Sequence, residues 1–114
     1  MISKHLTAAS TKPLILGILK QGNSYGYLII KKIKEISGGK IEWSDGMLYP
    51  VLHRLEKEGL IRSEWSVTND ERPRKYYEIT EEGKAVLQEE RAQWITVSEV
   101  LDKVWDLKPG ISNV

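Results

Sequence analysis

Gly46, Pro50, His53, Arg54 and Lys57 fall at a spacing of roughly 100° per residue that gathers them on one side of a helix. Their chemistry suits a polyanion with readable edges. Arg54 and His53 can donate hydrogen bonds to base-edge acceptors, Tyr49 can touch a thymine methyl or a phosphate, and Lys57 can pair with phosphate. Gly46 and Pro50 keep the first turn slim, so that this end can approach another molecule closely. Met47 sits in the same turn. Ser44 either caps the helix or donates to a phosphate. A second basic group, Arg72, Arg74 and Lys75, lies further along the chain.

The elements that must hold these residues are legible around them. Ser44 and Asp45 give a start signal, Leu48, Leu52 and Leu55 an apolar face, and Gly59 a stop. Upstream, residues 6–20 predict a helix with Leu14, Ile15, Ile18 and Leu19 as its apolar stripe; Pro13 either stands in a first turn or bends it. A second helix is predicted from Ser24 to Ser37, with Tyr25, Ile29, Ile33 and Ile36 on one face and Gly38-Gly39 ending it. Tyr25 either packs in the core or reaches the DNA backbone. Downstream, residues 60–67 alternate as a strand whose more apolar side is Ile61, Ser63, Trp65 and Val67. The stretch 68–73 is turn-like, and residues 74–79 return as a second strand. Strand alternation turns Arg74 and Lys75 to opposite faces. Three helices followed by a basic hairpin describe a winged helix-turn-helix, mainly α with a small β-hairpin.

Thr80, with Glu81 and Glu82 behind it, opens a long last helix running to about Asp106. Leu87, Trp94 and Leu101 recur at sevens, as do Glu90, Val97 and Val104, which makes a short heptad seam. Such a seam packs on a second copy of the chain, back on the first helix, or on both. Three regions follow: a reading head over 1–79, a dimerisation helix over 80–107 using Leu87, Trp94, Val97, Leu101, Val104 and Trp105, and a flexible tail over 108–114.

Charge is divided along the same boundary. The chain of 114 residues has a formal net charge of only +1, but residues 1–77 carry thirteen Lys/Arg against eight Asp/Glu, and residues 78–114 four against eight. A basic front and an acidic back separate a polyanion-binding surface from a second task. There is no Cys, which excludes disulfides and thiolate metal sites, and no cofactor is called for. Apolar runs are too short to span a bilayer and no signal-peptide pattern is present, so the expected location is cytoplasmic.

Four motifs, in order, resemble the PadR family of bacterial transcriptional regulators. They are Tyr25-Gly26-Tyr27-Leu28-Ile29; Gly46-Met47-Leu48-Tyr49-Pro50; Arg54-Leu55-Glu56-Lys57-Glu58-Gly59-Leu60-Ile61; and Arg72-Pro73-Arg74-Lys75-Tyr76-Tyr77 with Thr80 and Gly83. The resemblance implies a homodimeric winged helix-turn-helix repressor on a palindromic operator, with the third helix in the major groove and the wing along the backbone or minor groove. Met47 stands where the family commonly has Thr, which removes a hydroxyl from the DNA-facing turn. Half-sites about one DNA turn apart, ~10 bp, are expected for such a dimer. Trp94, in the middle of the seam, can form with its mate a flat slot for a planar aromatic effector, with Leu14, Ile15, Val97 and Trp105 near it. The resemblance strengthens this, since some short-tailed relatives hold planar drugs between paired tryptophans. Simple filling of the dimer core is the other reading of Trp94. Enzyme chemistry finds no support: neither His5 nor His53 has a catalytic partner, and no phosphate-binding Gly loop occurs. The rival reading is a winged-helix module that binds proteins and not specific DNA; the basic wing argues against it.

Overall fold

The computed structural model describes residues 2–67 and 72–110. Its order is α1 (Lys4–Gln21), α2 (Gly26–Ile36), α3 (Asp45–Lys57), β1 (Ile61–Ser66), β2 (Arg74–Ile79) and α4 (Glu81–Trp105). The mainly helical fold with one antiparallel hairpin agrees with the sequence reading. Most of the turn expected over 68–73 and of the tail expected over 108–114 lies outside the described residues.

Local rules set the boundaries. Ser3, Ser44 and Thr80 each accept a hydrogen bond from the backbone N–H three residues on, capping α1, α3 and α4. Gly59, at φ +79°, makes the left-handed turn after α3. α1 begins earlier than its periodicity suggests and runs through Pro13, which lies inside it. α3 also runs unbroken through Pro50, and the N–H groups of both Met47 and Leu48 converge on the Ser44 carbonyl at 3.2 and 3.0 Å. This shared acceptor tightens the first turn.

The core joins Ile15, Leu16, Ile18 and Leu19 of α1, Ile29 and Ile33 of α2, Leu48, Leu52 and Leu55 of α3, and Ile61, Tyr77 and Ile79 of the hairpin, closed by Trp43 and Leu60. Two sequence expectations fail against this packing. Ile36, expected on the buried face of α2, is 68% exposed, because the core ends at Ile33 and Ile36 sits in the last turn beyond it. Trp65 of β1 and Val67 just beyond it, both on the side expected to be the more apolar, are also exposed, because the hairpin projects past the helices there. The hairpin register pairs Ile61 with Ile79 and Trp65 with Lys75. A further bridge between Ser24 and Tyr77, with N–H···O bonds of 3.1 and 2.7 Å in the two directions, adds the segment before α2 to the sheet.

α4 is built differently along its length. Gly83 is buried, and Val86 and Leu87 pack against the core. From Arg91 to Trp105 every residue is exposed. The molecule measures 67 × 29 × 21 Å, far longer than its other dimensions.

Candidate nucleic-acid interface

α3 divides cleanly by burial. Leu48, Leu52 and Leu55 are fully buried, and Gly46, Pro50, His53, Arg54 and Lys57 are exposed. The intervening Met47 and Tyr49 are half-buried and pack against the core. Ser44 Oγ accepts from the Met47 N–H at 3.2 Å, so the hydroxyl serves as a cap in this structure.

Tyr49 explains the glycine of the Tyr25-Gly26-Tyr27 motif. A Cβ on Gly26 would lie 2.6 Å from Tyr49 Cζ and closer still to its hydroxyl. The two helices approach through this absent side chain, and the Tyr49 ring lies across α2. The ring also sits 6.5 Å from the His53 ring. Nothing in the local pattern of either segment reveals this contact; the two motifs must be seen together in space.

The hairpin sorts its basic residues by face. Direct cross-strand partners share a face, so Arg74 lies with Tyr76 and Ser66, and Lys75 with Trp65 and Tyr77. The Arg74 guanidinium stacks 4.5 Å above the Tyr25 ring, and its Nη1 donates to Tyr25 Oη at 3.1 Å. Tyr25 in turn meets Tyr76 edge-on at 5.3 Å. Tyr25 is the N-cap residue of α2, so this stack ties the wing to the helix-turn-helix. Lys75 turns the other way, towards the Glu56 carboxylate at 3.8 Å. Glu56 also accepts from Ser63 Oγ. Arg72 is exposed at the edge of the described wing.

Two titrating groups brace the hairpin. Burial pushes the Tyr77 phenol up to about 12, aided by the nearby Glu56 charge and Tyr49; its hydroxyl has no hydrogen-bond partner among the described residues. On the outer face Arg62 donates to Glu78 at 2.6 Å and Asn23 donates to the other carboxylate oxygen at 3.3 Å. The Arg62 bond, then the Asn23 bond, hold the Glu78 carboxyl below its usual range.

Between α3, the start of α2 and the wing runs a groove of about 790 Å³. Tyr25, Tyr27, Tyr49, His53, Trp65, Arg72, Arg74 and Lys75 line it. The sequence reading identified its cations but not Tyr27 and Trp65. The signal available was an aromatic residue on a strand position beyond the last residue that the core can cover.

A second groove, about 820 Å³, separates α1 from the first half of α4. Leu14, Gly17, Leu87, Gln88, Arg91 and Trp94 are among its walls. Ile15 is not: it is fully buried in the core, one helical step of roughly 100° round from Leu14, which corrects its placement at an effector slot. Val97 lies further along α4, exposed, beyond the walls of this groove. Leu101, Val104 and Trp105 continue the exposed apolar residues. Lys12 and Glu90 pair at 3.1 Å across α1 and α4.

The helix-turn-helix, its strand-paired wing and the exposed basic side of α3 define a winged-helix DNA-binding regulator. The match to the Transcriptional regulator PadR-like family over residues 15–89 makes the particular assignment: the chain belongs to the PadR family of transcriptional regulators, and is not an enzyme. It is similar to a solved transcriptional regulator from Clostridium thermocellum, 32% identical with a TM-score of 0.82, covering 90% of this chain and 97% of that one. A PadR family regulator from Eggerthella lenta is 34% identical with a TM-score of 0.79, over 91% of this chain and 88% of that one. The negative transcriptional regulator PadR of Bacillus subtilis is 33% identical over 76 residues, which are 67% of this chain and 42% of the relative. The chain thus spans less than half the length of that curated regulator. No helix among the described residues is long and apolar enough to cross a membrane.

Proposed function

We propose that this DNA-binding regulator is a homodimeric repressor of a palindromic operator, with residues 1–79 as reading head and 80–107 as dimerisation helix. The observation that carries the proposal is the division of α3: three leucines fully buried on one side, and Pro50, His53, Arg54 and Lys57 exposed on the other. The exposed side enters the major groove; Arg54 and His53 donate to base edges, and Lys57, with Ser44, Met47 and Tyr49 near the helix start, borders the backbone. Arg72, Arg74 and Lys75 on the wing, with Tyr25 at its base, run along the adjacent phosphates. The repressor sense follows the similarity to the Bacillus subtilis relative, a negative transcriptional regulator.

The uncovered apolar stripe of α4 supports pairing of two copies through Trp94, Val97, Leu101, Val104 and Trp105, with Leu87 at its inner end. Pairing along α4 sets two heads at a fixed separation, and half-sites about one turn, ~10 bp, apart suit it. Trp94 borders the α1–α4 groove beside Leu14, where a planar aromatic effector fits between Trp94 and its mate. Such a ligand would shift the α4 pairing angle and hence the head spacing. The joint at Thr80 makes that transmission direct. Thr80 Oγ1 donates to the Gly59 carbonyl at 2.7 Å and its N–H to the Leu60 carbonyl at 3.0 Å, so the start of α4 is bonded to the end of α3.

The test is titration of a labelled duplex from upstream of the chain's own gene, against random duplex, at several salt concentrations. The proposal expects competitor-resistant binding with a steep salt slope. Equal affinity for both duplexes, repeated on sites recovered by genome-wide selection, contradicts it.

A further inference from the structure

Trp65 stands on the core-facing side of the hairpin by register, yet it is 65% exposed. On the α2 side of the same groove Tyr27, in the first turn of that helix, is 68% exposed. Both line the groove between α3 and the wing. Leaving two large aromatic side chains in water forfeits burial that would stabilise the fold, so the fold alone gives no reason for them.

Their surroundings commit the groove to one kind of occupant. The ionisable groups on its walls include Arg72, Arg74, Lys75 and His53, and no carboxylate is among the described lining residues. Glu56 reaches Lys75 but does not line the groove. An apolar protein helix would bring no negative charge to this cationic wall. A nucleic-acid strand matches both features, because it alternates anionic phosphates with deoxyribose rings that present apolar faces.

We infer that Trp65 and Tyr27 clamp the sugars of one strand of duplex DNA, while the flanking cations hold its phosphates. The inference rests on the DNA-binding reading above and adds two contact residues to it. A clamp on sugars carries no sequence information, and it releases no counterions. It therefore contributes affinity equally to operator and random duplex, and leaves the salt slope unchanged.

That signature separates it from a base-reading or a cationic role. The experiment measures affinity of the wild type, Trp65→Ala, Trp65→Phe and Tyr27→Ala for operator and random duplex across a salt series, with circular dichroism confirming the fold. Trp65→Ala should lose about ten-fold on both duplexes, at the scale of one stacked aromatic contact, with parallel salt slopes. Trp65→Phe should recover most of the loss, and Tyr27→Ala should lose less than Trp65→Ala. Unchanged affinity in Trp65→Ala and Tyr27→Ala, with wild-type binding intact, overturns the clamp alone. A loss confined to the operator makes Trp65 a sequence reader and also overturns it. A wild type that binds neither duplex overturns the DNA reading, and the clamp with it.

Discussion

The head of this molecule and the outer half of its last helix solve the burial problem in opposite ways. The head closes its core from within: α1, α2, α3 and the hairpin supply twelve buried apolar residues and the connecting segments add Trp43 and Leu60, with Ile15, Leu16, Ile29, Leu48, Leu52 and Leu55 fully enclosed. From Arg91 onward α4 buries nothing, although Trp94, Val97, Leu101, Val104 and Trp105 lie on it. The difference teaches where each half's order must come from. The head is held by its own packing, whereas the outer apolar residues of α4 lack cover within the chain, and the proposed pairing with a second copy would supply it. Thr80 and Gly83 join the two regimes. A Cβ on Gly83 would collide with the Leu60 carbonyl oxygen and lie 2.7 Å from Ile79 Cγ1, so α4 and the head approach through a missing side chain.

The contrast can be broken most severely at that joint. Gly83→Ala should cost about 3 kcal/mol of stability, read from urea unfolding, because the obstacle is backbone and Ile79 rather than a mobile side-chain tip. Gly46→Ala is the matched control. Nothing lies within 4 Å of its Cβ position, so it should stabilise the helix by about 0.5–1 kcal/mol while crowding the DNA-facing end. Next in size, Leu101→Lys should weaken self-association more than ten-fold in sedimentation while the head melts as before; a changed melt would place Leu101 in the head's own packing. Arg54→Ala should weaken operator binding by about 1–3 kcal/mol without unfolding the protein, measured on a verified operator. Unaltered affinity there removes Arg54 from the reading face.

The smallest effect tests how complete the head's packing is. Tyr77→Phe removes a buried hydroxyl that has no partner among the described residues, and should leave stability unchanged or raise it by up to about 1 kcal/mol. Its pH dependence has a definite sign. The folded phenol titrates at about 12 and the free phenol near 10, so the neutral form is favoured in the fold. That contribution is full below pH 10 and is lost as pH rises towards 12. Alkaline melts of the wild type should therefore fall faster over that window than those of Tyr77→Phe.

The sequence made legible what depends on short-range rules. The caps at Ser44 and Thr80, the turn at Gly59 and the leucine face of α3 follow from residue type and spacing alone. So does the opposite facing of Arg74 and Lys75, which strand alternation dictates. Burial of a particular side chain was legible only where the neighbouring element was known. Ile15 and Leu14 are both apolar and adjacent, yet one enters the core and the other lines a groove, a choice fixed by where α4 crosses α1. Ile36 and Trp65 satisfied their periodic patterns and are exposed because those patterns run past the end of the core. The Gly26–Tyr49 contact and the Ser24–Tyr77 bridge join segments distant in sequence, and no local signal carries them.

The central claim is that two self-sufficient heads are brought to one duplex by the uncovered half of α4. The direct measurement is the stoichiometry and mass of the complex with its operator, by sedimentation or native mass spectrometry, with Leu101→Lys in parallel. The account predicts two chains per duplex, a dimer already formed without DNA, and loss of tight binding when Leu101→Lys separates the copies. A single chain bound per duplex, with full affinity in the monomeric variant, would contradict it.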